Sequence, residues 1–216
     1  MHFEILVEDT SGKRALDVLV PKIVGDPHTF RVIGFRGIGH IPRNLKSGAA
    51  VTNRLLLNQL PRLLRAYGRT YARDRTDDPA AVILVCDLDD RCLRRFRQNL
   101  FSVLNACNPK PLTRFCIAIE EGEAWLLGDD LAITAAYPNL RCDVLESYEN
   151  DAICGTWEVL ADAVYTGGSV SLKNRGWRAV GREKSLWAER IAPLMDVDNN
   201  ASPSFCYFRE KLRELT

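Results

Sequence analysis

The chain has 216 residues, of which 46% are hydrophobic and 26% are charged, and its formal net charge is +1. This length suits one globular domain with a buried core, and no apolar window approaches the roughly 18 uninterrupted residues of a membrane span. The near-neutral balance excludes a protein that is basic overall, so any surface for nucleic acid must be local.

The first part of the chain predicts a strand, a helix and a second strand. Residues 3–7 form a short apolar run, as expected of a strand that is covered on both faces. Ser11 is a candidate N-cap for a helix that continues to Ile23, because apolar residues then recur at near-helical spacing. Pro21 opposes an unbroken helix there. Residues 29–35 are a further strand candidate of more mixed polarity.

The middle of the chain continues this alternation of helix and strand. Residues 55–71 carry an apolar stripe that Pro61 interrupts, and residues 80–86 form a continuous apolar run. Residues 91–106 have helical apolar spacing, and residues 115–119 form the next apolar run. Such alternation predicts the α/β class, with a mostly parallel sheet flanked by helices on both sides.

The C-terminal part has a different character, because helical patterns follow one another without a second series of strands. These patterns cover residues 124–127, 157–164, 186–194 and 203–215. The sequence therefore predicts an α/β core over residues 1–135 and a helical extension over residues 136–216. No linker separates the two parts, so the extension is expected to pack on the core as a single compact unit.

The cysteines and histidines limit the kinds of site. Seven cysteines, an odd number without a CxxC pair, indicate small buried residues in a reducing, cytoplasmic compartment. The three histidines show no spacing typical of zinc ligands. Carboxylates remain as candidate ligands, and they suit Mg²⁺ or Mn²⁺ rather than zinc.

Acidic residues follow three of the predicted strands, at the points where those strands end. Glu8 follows the first strand, Asp87 and Asp89 follow the run at residues 80–86, and residues 120–123 follow the last. Ligands collect at the carboxyl ends of parallel strands, where several carboxylates repel each other unless a cation lies between them. In an extended segment Asp87 and Asp89 would face the same ion. The alternative interpretation is helix capping and surface charge.

Two of these acidic segments resemble the TOPRIM core of topoisomerases, bacterial primases, RNA-maturation nucleases and OLD-type nucleases of phage defence. They are residues 5–8, leading into a helix, and residues 85–89, ending a strand. Residues 120–129 and 202–205 are similar to segments of OLD-like or RloB-like proteins, which are often encoded beside an ABC-type or AAA-type ATPase. One position departs from the TOPRIM pattern, since Asp9 stands where a glycine usually follows the first glutamate.

The resemblance implies a Mg²⁺-dependent nuclease that hydrolyses phosphodiester bonds in DNA or RNA, as the effector of an anti-phage defence system. It implies that Glu8, Asp87 and Asp89 hold the principal ion, with Glu120 or Glu123 supporting a second ion. Residues 120 and 123 lie within one helical turn of each other, and Glu123 is the favoured member because it belongs to the matching segment.

A cation is also needed for the negative charge that develops in phosphoryl transfer. OLD-type nucleases use a lysine downstream of the acidic motifs, and Lys184 lies in a comparable region; the alternative is a solvated lysine near a helix start. Lys13 is the rival candidate. Its Ser-Gly-Lys tripeptide lacks the upstream glycine of a P-loop, so nucleotide binding is rejected there.

Basic residues cluster in two segments that are candidates for contact with nucleic acid. The first contains an aromatic residue, Trp177, among its basic residues Lys173, Arg175, Arg178 and Arg182. Local basicity with an aromatic residue nearby suits a groove that follows a nucleic-acid backbone. The second segment, residues 91–97, is explained equally well by a solvated helix face.

Two other functions compete with the nuclease. A TOPRIM-like module without catalysis, or one activated by its partner, would dock on an ATPase. A phosphatase with Asp87 as the nucleophile is disfavoured, because such enzymes usually place the DxD motif on the first strand, followed by a small hydroxyl residue, and this chain has Asp90 and Arg91 there.

Overall fold

The computed structural model describes residues 1–42, 54–73, 79–152 and 155–216. Within these residues the chain forms one four-stranded sheet, in the order β2-β1-β3-β4, and every neighbouring pair of strands is parallel. The strands are β1 (His2–Val7), β2 (Thr29–Gly34), β3 (Ala80–Asp87) and β4 (Thr113–Ala118). The predicted α/β class is confirmed, and the carboxyl ends of all four strands lie at one edge of the sheet.

The helical C-terminal region is also confirmed, since every described element after β4 is a helix. Before β4 lie α1 (Thr10–Val24), α2 (Leu56–Arg73) and α3 (Leu93–Asn105). After it come α4 (Glu123–Leu127), α5 (Asp130–Ala136), α6 (Cys142–Glu146), α7 (Thr156–Val164), α8 (Gly168–Asn174), α9 (Trp177–Ile191) and α10 (Pro203–Arg213). No helix within the described ranges is long and apolar enough to cross a membrane.

Each face of the sheet has its own buried cluster, because successive strand residues point to opposite faces. On one face, Leu84 and its neighbours pack against α2 and α3. On the other face, Ile83 and its neighbours pack against α1 and the C-terminal helices, including the fully buried Trp187 and Phe205. The C-terminal helices therefore share one core with the strands.

Both prolines that were expected to interrupt helices lie inside continuous helices. Pro21 is in the last part of α1, and Pro61 is in the first half of α2. Each proline removes one backbone hydrogen bond at a cost of about 3 kcal/mol. Buried apolar residues lie on either side of both prolines, so packing against the sheet holds the helices together.

Candidate active site at the carboxyl edge of the sheet

Glu8 and Asp87 are brought together because they end neighbouring strands. β1 and β3 pair in a register that puts Val7 opposite Val85, so both strands reach the same edge of the sheet. Glu8 Oε2 accepts a hydrogen bond from the backbone N–H of Asp87 at 3.1 Å. The Glu8 carboxylate therefore lies against the backbone of Asp87, at the end of the neighbouring strand.

Glu123 joins this pair from the segment that follows β4. It is the first residue of α4, and its side chain is only 5% exposed. Gly122, just before it, lies against Asp87, because a Cβ atom on Gly122 would be 3.7 Å from Asp87 Oδ1. The strand order places β4 beside β3, so the third acidic segment approaches Asp87 from the adjacent strand.

Lys184 of α9 supplies the positive charge in the middle of these acids. Its Nζ lies 2.9 Å from Glu123 Oε2 and 3.3 Å from Glu121 Oε1, and its side chain is 15% exposed. The interpretation of Lys184 as a solvated lysine is therefore wrong. The sequence analysis did not single out Glu121, whose contact with Lys184 depends on how α9 packs.

Burial raises the pKa values of the carboxyl groups in this site. It raises the pKa of Glu8 to about 7, with smaller contributions from the charges of Asp9 and Asp89. Burial, and then the charge of Glu8, raises the pKa of Asp87 well above its ordinary value. Burial also raises the pKa of Glu121 to about 7. These carboxyl groups together lack sufficient positive charge nearby.

The pKa values of Lys184 and Glu123 reflect a single ammonium group that pairs with more than one carboxylate. Burial alone would lower the pKa of Lys184, but the charges of Glu123 and Glu121 raise it above its ordinary value. The pKa of Glu123 is still raised, because burial outweighs the nearby ammonium group of Lys184. Lys184 is therefore charged. Its single positive charge does not balance the negative charges of the acids around it, so the site could accommodate a further cation.

A cavity of about 40 Å³ adjoins the acids. Its lining includes Glu8, Asp87 and Glu123 together with apolar side chains such as Leu16 and Trp125. This volume can hold water-sized molecules, and the carboxylates provide polar partners for them.

Asp9, which replaces the usual TOPRIM glycine, caps α1. Its Oδ1 accepts a hydrogen bond from Gly12 N–H at 2.7 Å, and its Oδ2 accepts one from the hydroxyl of Ser11. The N-cap is thus Asp9, and the prediction of Ser11 in that role is wrong.

Gly12 is needed for packing, because a Cβ atom there would come within 2.7 Å of Val7 Cγ2. Lys13 pairs instead with Asp17 at 2.6 Å, on the exposed side of α1.

Asp89 lies at the rim of the site. β3 ends at Asp87, and Asp89 has a φ of 49°, so the segment is not extended there. The extended geometry in which Asp87 and Asp89 face one ion is therefore absent. The Asp89 carboxylate, 42% exposed, pairs with Arg91, although its charge is close enough to raise the pKa of Glu8.

Glu120 is separated from Glu123 by the local backbone. It has a φ of 62° and lies before α4 begins. Its two carboxylate oxygens accept hydrogen bonds from the backbone N–H groups of Gly155 and Thr156, at 2.6 and 2.8 Å. Glu120 thus fixes the start of α7, and Glu123 is the member of this segment that lies with the other acids.

Several residues in the segments that resemble OLD-like proteins have structural roles. Trp125 is buried, donates its indole N–H to Ser204 Oγ at 2.9 Å and stacks on Phe208. Asp129 caps α5 and also accepts a hydrogen bond from Asp196 N–H at 2.7 Å. These contacts hold α4 and α10 together behind the acidic site.

The predicted basic stretch on α8 and α9 is only partly available for a ligand. Lys173 lies 3.4 Å from Glu158, and Arg175 donates a hydrogen bond to the hydroxyl of Tyr165 at 2.6 Å. Arg178 and Arg182 are exposed on α9. Trp177 is 70% exposed and meets Trp157 edge-on.

The oxygen donors of Glu8, Asp87 and Glu123 fit a hard divalent cation by their chemistry. In the structure, Glu123 pairs with Lys184, and Glu8 accepts a hydrogen bond from the backbone N–H of Asp87. Across the described ranges, no group of three or more His, Cys, Asp or Glu side chains is arranged so that it could hold a metal ion. No protein-family model, curated protein or solved structure matches the chain.

Proposed function

We propose that the acidic site binds Mg²⁺ or Mn²⁺ and hydrolyses phosphodiester bonds in DNA or RNA. The observation that carries this proposal is the meeting of Glu8, Asp87 and Glu123 with Lys184 at the carboxyl edge of a parallel sheet. Ligand sites in such sheets lie at that edge. The resemblance of residues 5–8 and 85–89 to the TOPRIM core, which implies that Glu8 and Asp87 share one site, supports the same function.

Glu8 and Asp87 would hold the principal ion, and Asp89 would approach it from the rim. A bound divalent ion polarises a phosphoryl oxygen and lowers the pKa of a bound water molecule. The raised pKa values of Glu8 and Asp87 support this assignment, because they record carboxyl groups that lack a sufficient counter-charge. Glu123 is the candidate for a second ion.

Lys184 would have two roles in this reaction. It holds Glu123 and Glu121 in position through its two ion pairs. Its ammonium group also lies where it can stabilise negative charge on a phosphate bound over the acids, a contribution that grows in a site that excludes water.

A second candidate function is a non-catalytic TOPRIM-like module that docks on an ABC-type or AAA-type ATPase. One observation favours it: the carboxylates of Glu123 and Glu121 already pair with Lys184, and no described group of side chains is arranged to hold a metal ion. In this account the ion pairs only stabilise the fold.

Cleavage assays on labelled DNA and RNA, with Mn²⁺ or Mg²⁺, distinguish the two functions. Glu8→Gln and Asp87→Asn keep the shape of the side chains, so they should abolish cleavage while the protein stays folded. Asp17→Asn, an exposed carboxylate on α1, is the matched control and should cleave normally. Cleavage that persists in Asp87→Asn would exclude this site as the catalytic centre. No cleavage by the parent protein, together with copurification of an ATPase, would favour the docking module.

A further inference from the structure

Four arginines form a single stripe along α2. They recur at intervals of three, four and four residues: Arg62, Arg65, Arg69 and Arg73. At 3.6 residues per turn they fall within about 80° of the helix circumference. The stripe lies opposite the buried face of α2, where Leu56, Leu60 and Leu64 pack on the sheet. Arg62, Arg69 and Arg73 are exposed, and Arg65 is half-buried.

α3 lies beside α2 on the same face of the sheet and adds two exposed arginines, Arg94 and Arg95. Its third arginine, Arg97, donates a hydrogen bond to the Tyr207 hydroxyl of α10 at 3.2 Å and lies over the Tyr207 ring. The two helices contribute leucines and phenylalanines to one buried cluster. The turn after α3 also reaches α2, because a Cβ atom on Gly68 would lie 2.1 Å from Pro109 O. The four arginines of α2, together with Arg94 and Arg95, are called the α2–α3 arginine face.

This face is cationic in a chain that is otherwise acidic. Neither α2 nor α3 contains an aspartate or a glutamate, so their seven arginines give the two helices together a formal charge of +7. The whole chain has a formal charge of +1, which leaves −6 for all residues outside the two helices. Such segregation favours a polyanion on this side of the molecule.

Both helices of the arginine face begin near the acidic site, and Arg62 follows the start of α2 after a rise of about 9 Å. Gly37 N–H donates a hydrogen bond to Glu8 O at 2.8 Å, and Leu56 N–H, at the start of α2, donates one to Gly37 O at 3.0 Å. α3 begins a few residues after Asp87. From Arg62 to Arg73 the helix rises about 16 Å, which corresponds to about five base-pair steps of duplex DNA.

We propose that the α2–α3 arginine face binds the sugar-phosphate backbone of a nucleic acid and directs it to the acidic site. The direction towards the site rests on the proposed function, whereas the binding itself requires no metal ion and no cleavage. Arginine suits this role because its guanidinium group can donate two parallel hydrogen bonds to one phosphate. The stretch on α9 is a weaker candidate, since that helix also contains Glu183 and Glu189.

The test is fluorescence anisotropy of labelled duplex DNA and single-stranded RNA, in EDTA so that neither metal binding nor cleavage contributes. The wild-type protein is compared with an Arg62→Ala, Arg69→Ala variant and with a matched Arg178→Ala, Arg182→Ala control on α9. Alanine has the higher helix propensity, so both variants should keep their helices. Circular dichroism and the melting temperature check this.

The proposal predicts that the α2 variant binds about tenfold more weakly at about 50 mM salt, and that its salt-dependence slope falls by about two. The α9 control should retain both the affinity and the slope. Equal binding by the α2 variant and the wild type, or a larger loss in the α9 control, would overturn the proposal. So would binding to anionic phosphatidylserine vesicles, lost in the α2 variant, without any binding to nucleic acid.

The measurement in EDTA separates this inference from the proposed function. The wild-type protein should bind nucleic acid in EDTA, although metal-dependent cleavage cannot occur there. Failure of the nuclease function would leave this binding intact, whereas failure of the arginine face would appear as unchanged affinity in the α2 variant.

Discussion

Replacing Lys184 with methionine removes the only ammonium group that contacts Glu123 and Glu121 among the described residues. Methionine keeps the length of the side chain but takes the positive charge away from the two carboxylates. Each ion pair is worth several kcal/mol at an effective dielectric constant of about 20, and breaking a buried pair typically costs 3–5 kcal/mol. We therefore expect a loss of about 4 kcal/mol, which lowers the melting temperature by about 10 °C.

The loss should depend on pH, and its sign follows from the carboxyl groups. Without Lys184, the pKa of the buried Glu123 rises further in the folded state, whereas its pKa in the unfolded state stays the same. A raised folded-state pKa means that stability is present at low pH and is lost as pH rises through that pKa. The destabilisation by Lys184→Met should therefore be small near pH 5 and large near pH 8.

Urea unfolding at both pH values, in EDTA, measures this effect. Lys13→Met is the matched control, because Lys13 forms an exposed pair with Asp17, and such pairs contribute less than about 1 kcal/mol. If Lys184→Met destabilises the protein no more than Lys13→Met at either pH, then Lys184 does not neutralise a buried acidic site.

Three further predictions test separate parts of the structure. Because the pKa of Glu8 is raised to about 7, the folded protein holds protons that the unfolded chain releases, so its melting temperature in EDTA should fall as pH rises from about 4.5 to 7. Gly12→Ala should destabilise the protein by about 1–3 kcal/mol in urea unfolding, since its Cβ would crowd Val7. Gly181→Ala meets no atom within 4 Å and should stabilise α9 slightly. Glu120→Gln should lower the melting temperature but leave Mn²⁺ binding in calorimetry unchanged. A loss of Mn²⁺ binding would show instead that Glu120 is a metal ligand.

The meeting of Glu8 and Asp87 could be predicted from the sequence, because it depends on local patterns. Two apolar runs each end in an acid, and parallel strands place their carboxyl ends at one edge. The choice between Glu120 and Glu123 could not be predicted. It depends on the positive φ at Glu120 and on the position of α7, because the N–H groups at the start of α7 donate hydrogen bonds to the Glu120 carboxylate.

The role of Lys184 depends on tertiary packing that no spacing in the sequence encodes. Glu121 and Lys184 are 63 residues apart and meet only because α9 packs against α1 and α4. Asp89 shows the opposite case, since its spacing from Asp87 suggested a shared ion, but the turn after β3 directs it to Arg91. The arginine stripe of α2 is visible in the sequence, whereas its position beside α3 follows from the strand order.

The central claim is that the acids at the carboxyl edge of the sheet form a metal site. Calorimetric titration of Mn²⁺ into the wild-type protein and into a Glu8→Gln, Asp87→Asn double variant tests it most directly. We expect saturable binding by the wild type, retention of that binding in Asp17→Asn and its loss in the double variant. Equal binding by the double variant, or no binding by the wild type even with a non-cleavable phosphorothioate oligonucleotide present, would contradict the claim.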